Sequence, residues 1–139
     1  MKLNIRPIKE NDYDDTLVGW WKDWGWDAPP EKSMLPLNGT GGIIVYDGDI
    51  NICAGFLYKT NSSLAWVEWI VSNKQYKERK SRKLALELLV RSLTMMASSL
   101  GYKYCYSLID SDFLNSTFEN AGYKVGGSYN KEMIKKLWD

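Results

Sequence analysis

The stretch from residue 64 to residue 108 constrains the fold more than any other part of the sequence. It begins with an apolar run (LAWVEWIV, 64–71), continues through a basic decapeptide (74–83) and ends in a second apolar run (YKYCYSL, 102–108). Before Gly101, a residue suited to end a helix, apolar residues recur at helical spacing. These are Ala85, Leu86, Leu89, Val90, Leu93, Met96, Ala97 and Leu100. A strand, a helix and a strand in this order predict a β-α-β unit with two parallel strands.

The rest of the sequence predicts a mostly antiparallel sheet. Asp47 and Gly48 are typical of a hairpin turn between two apolar runs, so the strands before the β-α-β unit form a meander. Two further helices are predicted to begin near residues 12 and 112. In all we predict a mixed α/β sheet of about seven strands with one parallel, splayed pair, and three to four helices. The other predicted strands cover 3–8, 43–46, 51–58, 123–129 and 132–138.

Length and composition indicate one globular domain. The chain has 139 residues, so we predict a single domain over 1–139. A composition of 45% hydrophobic and 25% charged residues excludes a disordered protein. No apolar run approaches the ~20 residues of a membrane span. The first residues lack the apolar core of a signal peptide, so we expect a cytoplasmic location.

The absence of histidine restricts the chemistry. It excludes His-based catalytic triads and most zinc sites, and Cys53 and Cys105 form no cluster that would replace them. We therefore expect no metal. Both cysteines lie in strand-like apolar runs, which favours buried thiols over a disulfide or a nucleophile.

Charge is balanced overall but uneven along the chain. The net charge of +1 gives no general bias toward nucleic acid. Residues 9–31 carry seven acidic and two basic residues, whereas residues 74–83 carry six basic residues and one acidic residue. A ligand bound between the two segments would meet opposite fields at its two ends.

The order of the elements and several short motifs resemble the GCN5-related N-acetyltransferase (GNAT) superfamily across essentially the whole chain. The best-matching part is ASSLGYKYCYSL followed by LNSTFENAGYKV. It is similar to the family's A-x-x-x-G, apolar strand and (Y/F)-x-x-x-G-(F/Y), occurring in that order. WIVSNKQYK is similar to the family's strand-four exit. The matching residues are Ala97, Gly101, Phe118, Gly122 and Tyr123.

The resemblance implies an acyltransferase that moves an acetyl group from acetyl-CoA to a primary amine of a small molecule or protein. It also implies that the backbone near Ile70 and Val71 hydrogen-bonds the thioester carbonyl and the pantetheine amides. The positive end of the helix dipole, near residue 82, would face the slot between the splayed strands.

The start of this helix departs from the family pattern, in which the coenzyme loop reads (Q/R)-x-x-G-x-(G/A). The chain has no glycine from 56 to 100, and glycine is what lets a backbone approach a pyrophosphate closely. We expect side chains to replace part of that backbone cradle. These cofactor-binding candidates are Lys77, Arg79, Lys80, Ser81, Arg82 and Lys83. The alternatives are a solvated, charged turn and a site for nucleic-acid phosphate.

The general base has to be a carboxylate, a tyrosine or a water chain, because histidine is absent. Glu68 is our first candidate, since a carboxylate between Trp66 and Trp69 would have a raised pKa. The alternative is that Glu68 faces solvent on an exposed face of the sheet.

The general acid is the second departure from the family, whose usual tyrosine is replaced here by Phe118. Tyr106 is our candidate for this catalytic role, with Ser107, Ser111 and unassisted departure of the CoA thiolate as alternatives. The missing glycines and the missing tyrosine leave a second function open. That function is a catalytically inactive GNAT-like protein acting as a protein- or ligand-binding module.

The segment WWKDWGWD (20–27) holds four of the seven tryptophans. Trp20 and Trp21 are spaced for burial in the core. Trp24 and Trp26, with Asp27, are predicted to receive a cationic acceptor through cation–π contact and charge. The alternative is an exposed protein-binding or dimer patch, which leaves a homodimer open.

Overall fold

The computed structural model describes residues 2–129 and 131–137. Within these residues, five strands form one sheet in the order β1-β2-β3-β4-β5. Neighbouring strands are antiparallel except β4 and β5, which are parallel. The mixed sheet with one parallel pair, predicted from the β-α-β unit, is therefore confirmed. The strands are β1 (Asn4–Pro7), β2 (Gly42–Asp47), β3 (Ile50–Tyr58), β4 (Leu64–Ser72) and β5 (Tyr104–Tyr106).

Three α-helices occur in the described residues, and none of them is both long and apolar enough to cross a membrane. They are α1 (Val18–Asp23), α2 (Arg79–Ser99) and α3 (Asp112–Asn120). A π-helical turn leads directly into α1, and two 3-10 turns follow it along the chain. These turns span Tyr13–Leu17, Lys32–Met34 and Pro36–Gly39. Gly101, at a φ of 95°, follows the end of α2 in the left-handed conformation expected of a helix stop.

The sheet separates two apolar clusters. Ile43 and Val45 of β2 pack with α2, whereas Ile44 between them packs with Trp20 and Trp21 of α1. Because successive side chains of a strand point to opposite faces, the two helices cover opposite faces of the sheet. The predicted apolar stripe of α2 is buried from Ala85 to Leu93 and at Ala97, whereas Met96 is half-buried and Leu100, just after the helix, is exposed. Each fully buried leucine contributes about 1.5–3 kcal/mol.

The two last predicted strands are the main difference from the sequence prediction. Residues 123–129 and 131–137 form no strand, while Asn130 and Trp138 lie outside the described residues. Val125 is 74% exposed, and a glycine pair follows it, so this segment has no apolar face to bury against β5. Strand pairing without a buried face is marginal in water. The sheet in the described residues thus has five strands instead of about seven.

The two cysteines differ in environment. Cys53 is fully buried and Cys105 is half-buried, and both are free thiols. Burial raises the pKa of the Cys53 thiol well above its usual range, which disfavours the nucleophilic thiolate. The prediction of a buried thiol is confirmed for Cys53 and holds only in part for Cys105.

Candidate functional site

β4 extends well past the point where β5 stops pairing with it. The last parallel pair joins Trp66 to Tyr106, and β4 continues to Ser72. The Ser107 hydroxyl donates a hydrogen bond to the Val67 carbonyl at 2.6 Å, just after that pair. β5, predicted over 102–108, therefore ends early and leaves the second half of β4 without a parallel partner.

A cavity of about 370 Å³ opens at the end of β4, and we call it the β4 slot. Its sides come from the end of β4, the first two turns of α2, the segment after α1 and the start of α3. Its lining includes Trp24, Trp26, Ile70, Val71, Ser72, Arg82 and Ser111. This is the place where the β-α-β unit was expected to splay.

A β-bulge interrupts β4 beside the slot. Phe56 pairs with Glu68 and Ala54 pairs with Val71, so β4 carries one extra residue opposite Gly55. Trp69 has a φ of 61°, in a region that is strained for a large side chain. A bulge changes the face to which the following side chains point and leaves backbone groups unpaired.

The basic segment leads into α2, which begins at Arg79. The Arg82 N–H donates to the Glu78 carbonyl at 3.0 Å, and Glu78 provides no side-chain cap. The N–H groups of the first turn, within the described part of the chain, therefore point toward a ligand or solvent. Arg82 lines the slot, and its guanidinium donates to the Tyr76 carbonyl at 3.2 Å. Of the other candidates, Ser81 is buried, and Lys77, Arg79, Lys80 and Lys83 are exposed.

The segment after α1 closes the slot on its other side. Trp20 and Trp21 are buried, whereas Trp24 and Trp26 are 44% and 42% exposed. The Trp24 indole N–H donates to the Ser72 carbonyl at 2.7 Å. The Lys74 ammonium lies 5.1 Å from the centre of the Trp24 ring. Trp24 therefore connects the acidic segment (9–31) to the basic segment (74–83) at the slot.

A second cavity, of about 350 Å³, lies beside Glu68, and we call it the aromatic pocket. The Trp69 indole N–H donates to the Tyr58 hydroxyl at 2.7 Å, and that hydroxyl donates to the Met34 carbonyl at 2.7 Å. Trp26, which lines the slot, packs against Trp69 with ring centroids 5.9 Å apart. The walls of the two cavities are thus in contact at the bulge, through Trp26 and Trp69. The pocket is lined by Tyr58, Lys59, Thr60, Trp66, Glu68 and Trp69.

Comparison with known family models finds no match, and comparison with curated proteins finds no relative. Solved structures, in contrast, match over nearly the whole chain. TTHA1254 from Thermus thermophilus has a TM-score of 0.65 at 15% identity, with 98% of both chains covered. AAC(6')-Iy, solved with the bisubstrate analog CoA-S-monomethyl-acetylneamine, has a TM-score of 0.65 at 13% identity, covering 98% of this chain and 100% of that chain.

A third similar structure is the aminoglycoside antibiotic 6'-N-acetyltransferase AAC(6')-Ih from Acinetobacter baumannii. Its TM-score is 0.62 at 21% identity, and the match covers 96% of this chain and 100% of that chain. The chain has the GNAT fold. The resemblance drawn from the sequence motifs is therefore confirmed at the level of the fold. Because fold does not fix function, the chemistry of this GNAT-fold protein rests on its own residues.

Glu68 lies half-buried beside Trp66 in this GNAT-fold chain rather than on an open face of the sheet. Its carboxylate accepts a hydrogen bond from the Trp66 indole N–H at 3.3 Å. Burial raises the pKa of Glu68, hydrogen bonds from Trp66 and from the Trp69 backbone lower it in part, and the charges of Glu132 and Asp110 add to the rise. The pKa shift has the direction expected from the sequence. A carboxyl group with a raised pKa is suited to accept a proton near neutral pH.

The candidates for the general acid occupy different places in this GNAT fold. Tyr106 packs on Trp66, with ring centroids 4.5 Å apart, and so lies beside the aromatic pocket. The Ser107 hydroxyl is engaged with β4, whereas Ser111 lines the slot. Phe118 is 3% exposed, so the position of the family's usual tyrosine is a core position in this chain.

The GNAT fold brings together some of the predicted site residues and leaves others apart. Ile70, Val71 and Arg82 line the slot, and Glu68 lines the aromatic pocket. Tyr106 lines neither cavity and reaches the pocket only through its packing on Trp66. The exposed Asp27, Lys77, Arg79, Lys80 and Lys83 do not line either cavity. Acceptor binding by Trp24, Trp26 and Asp27 stays a prediction, and the two tryptophans lie on the slot. The sequence reasoning missed the pocket residues Tyr58, Lys59 and Thr60, and it named Trp66 and Trp69 only as neighbours of Glu68.

Proposed function

We propose that this protein transfers an acetyl group from acetyl-CoA to a primary amine. The observation that carries the proposal is the adjacency of the β4 slot and the aromatic pocket across the bulge at Trp69. A thioester held in the slot and an amine held in the pocket would meet at this bulge. Holding two reactants in contact removes much of the entropic cost of a bimolecular reaction.

The slot supplies the contacts that a coenzyme needs. The second half of β4 lacks a β5 partner, which supports our proposal that its backbone near Ile70 and Val71 pairs with the pantetheine amides as an added strand would. The open first turn of α2 and the Arg82 guanidinium favour the pyrophosphate. The exposed cations Lys77, Arg79, Lys80 and Lys83 add a field that attracts the coenzyme but is screened by salt.

The pocket supplies the proton acceptor. Glu68 takes a proton from the bound ammonium, directly or through a water molecule, and the free amine nitrogen attacks the thioester carbon. The carbon–nitrogen bond forms while the carbon–sulfur bond breaks, and a backbone N–H near Ile70 stabilises the carbonyl oxygen as it gains charge. The CoA thiolate then takes up a proton, for which we propose Tyr106 as the donor. The second proton of the nitrogen restores the tyrosine.

The second candidate function is a binding module that has the fold without the catalysis. It is favoured by Phe118, which fills a core position instead of presenting a hydroxyl group. It is also favoured by the absence of glycine at the start of α2, which limits close approach of the backbone to a phosphate. Such a protein would bind a ligand or a partner in the same slot.

Calorimetric titration with acetyl-CoA and with CoA at low and high salt tests the proposal. We expect binding that weakens as the salt concentration rises, together with thiol release that requires an added primary amine. If neither acetyl-CoA nor CoA binds at any salt concentration, the proposed enzymatic function is wrong. Acetyl-CoA binding without thiol release across a broad amine panel would instead favour the binding module.

A further inference from the structure

The aromatic pocket has a composition that selects one kind of ligand. Aside from the polar groups of Lys59, Thr60 and Glu68, its lining consists of the rings of Tyr58, Trp66 and Trp69. Among the described residues, Glu68 is the one acidic residue in this lining. At about 350 Å³, the pocket lies near the small end of the range of small-molecule sites, which is about 300–1,000 Å³.

The rings of the pocket are fixed before any ligand binds. The chain of hydrogen bonds from Trp69 through Tyr58 to the Met34 carbonyl holds two of them. Trp66 is held by its contact with Tyr106 and by its hydrogen bond to the Glu68 carboxylate. A preorganised set of rings binds a ligand without losing further side-chain entropy.

The charges of the pocket favour a ligand with one ammonium group. The Glu68 carboxylate attracts a cation, and cation–π contact with the neighbouring indole rings can stabilise it further. Asp110 and Glu132, which are not in the lining, are near enough to influence Glu68, and their charge also favours a cation. Lys59, an exposed residue of the lining, repels a second positive charge on the same ligand.

We propose that the aromatic pocket is the acceptor site and that its acceptor is a monoamine whose ammonium is joined by a short arm to a flat, aromatic body. This assignment rests on the proposed acetyl transfer. The ammonium pairs with Glu68, and the ring of the acceptor packs among Tyr58, Trp66 and Trp69. A polyamine leaves these rings uncovered, and a polycationic aminoglycoside has no aromatic ring to pack on them.

The experiment measures amine binding to the full chain by calorimetry without acetyl-CoA, so that it does not depend on turnover. The probes are 2-phenylethylamine, butylamine, 2-phenylethanol, spermidine and kanamycin. We expect 2-phenylethylamine to bind at least tenfold more tightly than butylamine, which lacks the ring, and than 2-phenylethanol, which lacks the charge. Tighter binding of spermidine or kanamycin, or equal binding of butylamine, would overturn the proposal.

Three variants locate the binding. Trp66→Leu should weaken 2-phenylethylamine binding about tenfold, and Trp66→Phe, which keeps a ring, should keep it within about threefold of the unchanged chain. Tyr104→Leu alters an exposed tyrosine of β5 that lies outside both cavities and should have no effect. Equal loss in Trp66→Leu and Tyr104→Leu would contradict binding in the pocket.

The same samples separate this inference from the proposed function. Acetyl-CoA binding with no preference for 2-phenylethylamine overturns the acceptor assignment and leaves acetyl transfer standing. Preferred binding of 2-phenylethylamine without any acetyl-CoA binding supports the aromatic pocket as an amine site and overturns acetyl transfer. Both bindings together, with thiol release fastest for 2-phenylethylamine, support both.

Discussion

The β4 slot and the aromatic pocket share one strand but are built in different ways. The slot is assembled from segments far apart in the chain, since α1, β4, α2 and α3 all contribute to it. The pocket comes from a single hairpin, between Tyr58 of β3 and Trp69 of β4. The pocket geometry therefore depends on strand register, whereas the slot geometry depends on how helices pack against the sheet. Damage to one should leave the other largely intact.

Removing the charge of Glu68 should have the largest effect. We expect Glu68→Gln to lower the turnover number by about 10²-fold or more, because the amine then lacks a positioned proton acceptor. Acetyl-CoA affinity should be unchanged, since the slot is untouched, and this affinity measured by calorimetry is the control. Turnover that stays intact in Glu68→Gln would remove Glu68 as the base.

The pH profile of the unchanged protein tests the same role. Only the ionised carboxylate accepts a proton, so kcat/KM should fall as the pH is lowered through the raised pKa of Glu68. This acidic limb should be absent from the residual activity of Glu68→Gln. An identical limb in both proteins would assign the titration to another group.

Removing the charge of Arg82 in the slot should weaken binding of the coenzyme and leave binding of the amine acceptor unchanged. Arg82→Gln should weaken acetyl-CoA binding about tenfold, the loss expected for one hydrogen bond to a charged group. Its matched control is Lys83→Gln, which removes the same charge from an exposed position outside the slot and should cost about twofold or less. The two variants are compared by calorimetry at several salt concentrations. Equal losses in both would mean that a diffuse field, rather than a contact in the slot, holds the coenzyme.

The order of the strands could be predicted because local signals agree with the tertiary fold. Asp47–Gly48 makes the predicted hairpin, with Gly48 at a φ of 60°, and Gly101 stops α2. The absence of a strand in the segment 123–129 could not be predicted in the same way. Val125 alternates with polar neighbours as a strand residue would, yet nothing in that pattern shows whether a partner strand has a face to bury it.

The site could be predicted only in part, because a β-bulge reverses the face of the sheet to which the following side chains of the strand point. Strict alternation places Trp66, Glu68 and Ile70 on one face of β4. In the structure the extra residue puts Trp69 beside Glu68 and turns Ile70 toward α2. Glu68 was found because it precedes the bulge. The pocket around it was missed because most of its wall comes from Tyr58 at the end of β3, from Lys59 and Thr60 after that strand, and from Trp69 in the bulge.

Packing between β4 and α2 tests the difference between the slot and the aromatic pocket with a smaller expected effect. A Cβ at Gly55 would lie 3.1 Å from Leu93 and 3.2 Å from Ile70, so both side chains must shift. We expect Gly55→Ala to lower the free energy of unfolding by about 1 kcal/mol and to weaken acetyl-CoA binding, since Ile70 lines the slot. Amine binding to the pocket should change little. Chemical denaturation and calorimetry measure these effects, and Gly126→Ala, where nothing lies within 4 Å, is the control.

The smallest expected effect comes from the same substitution as the largest. Glu68→Gln, which should lower turnover, should raise the stability of the fold. The pKa of Glu68 is raised in the folded chain, so folding takes up a proton, and ionisation of this carboxyl destabilises the fold as the pH rises through the raised value. Glu68→Gln keeps an acceptor for the Trp66 indole and removes the buried charge. The variant should therefore be more stable than the unchanged chain at neutral pH, by about 0.5 kcal/mol after screening by solvent. The difference should vanish below about pH 4, where the carboxyl is protonated in both states. Denaturation midpoints of both proteins at pH 4 and pH 7.5 measure this difference. If Glu68→Gln is less stable at pH 7.5, favourable contacts stabilise the ionised carboxylate in the fold, and its burial does not destabilise the protein.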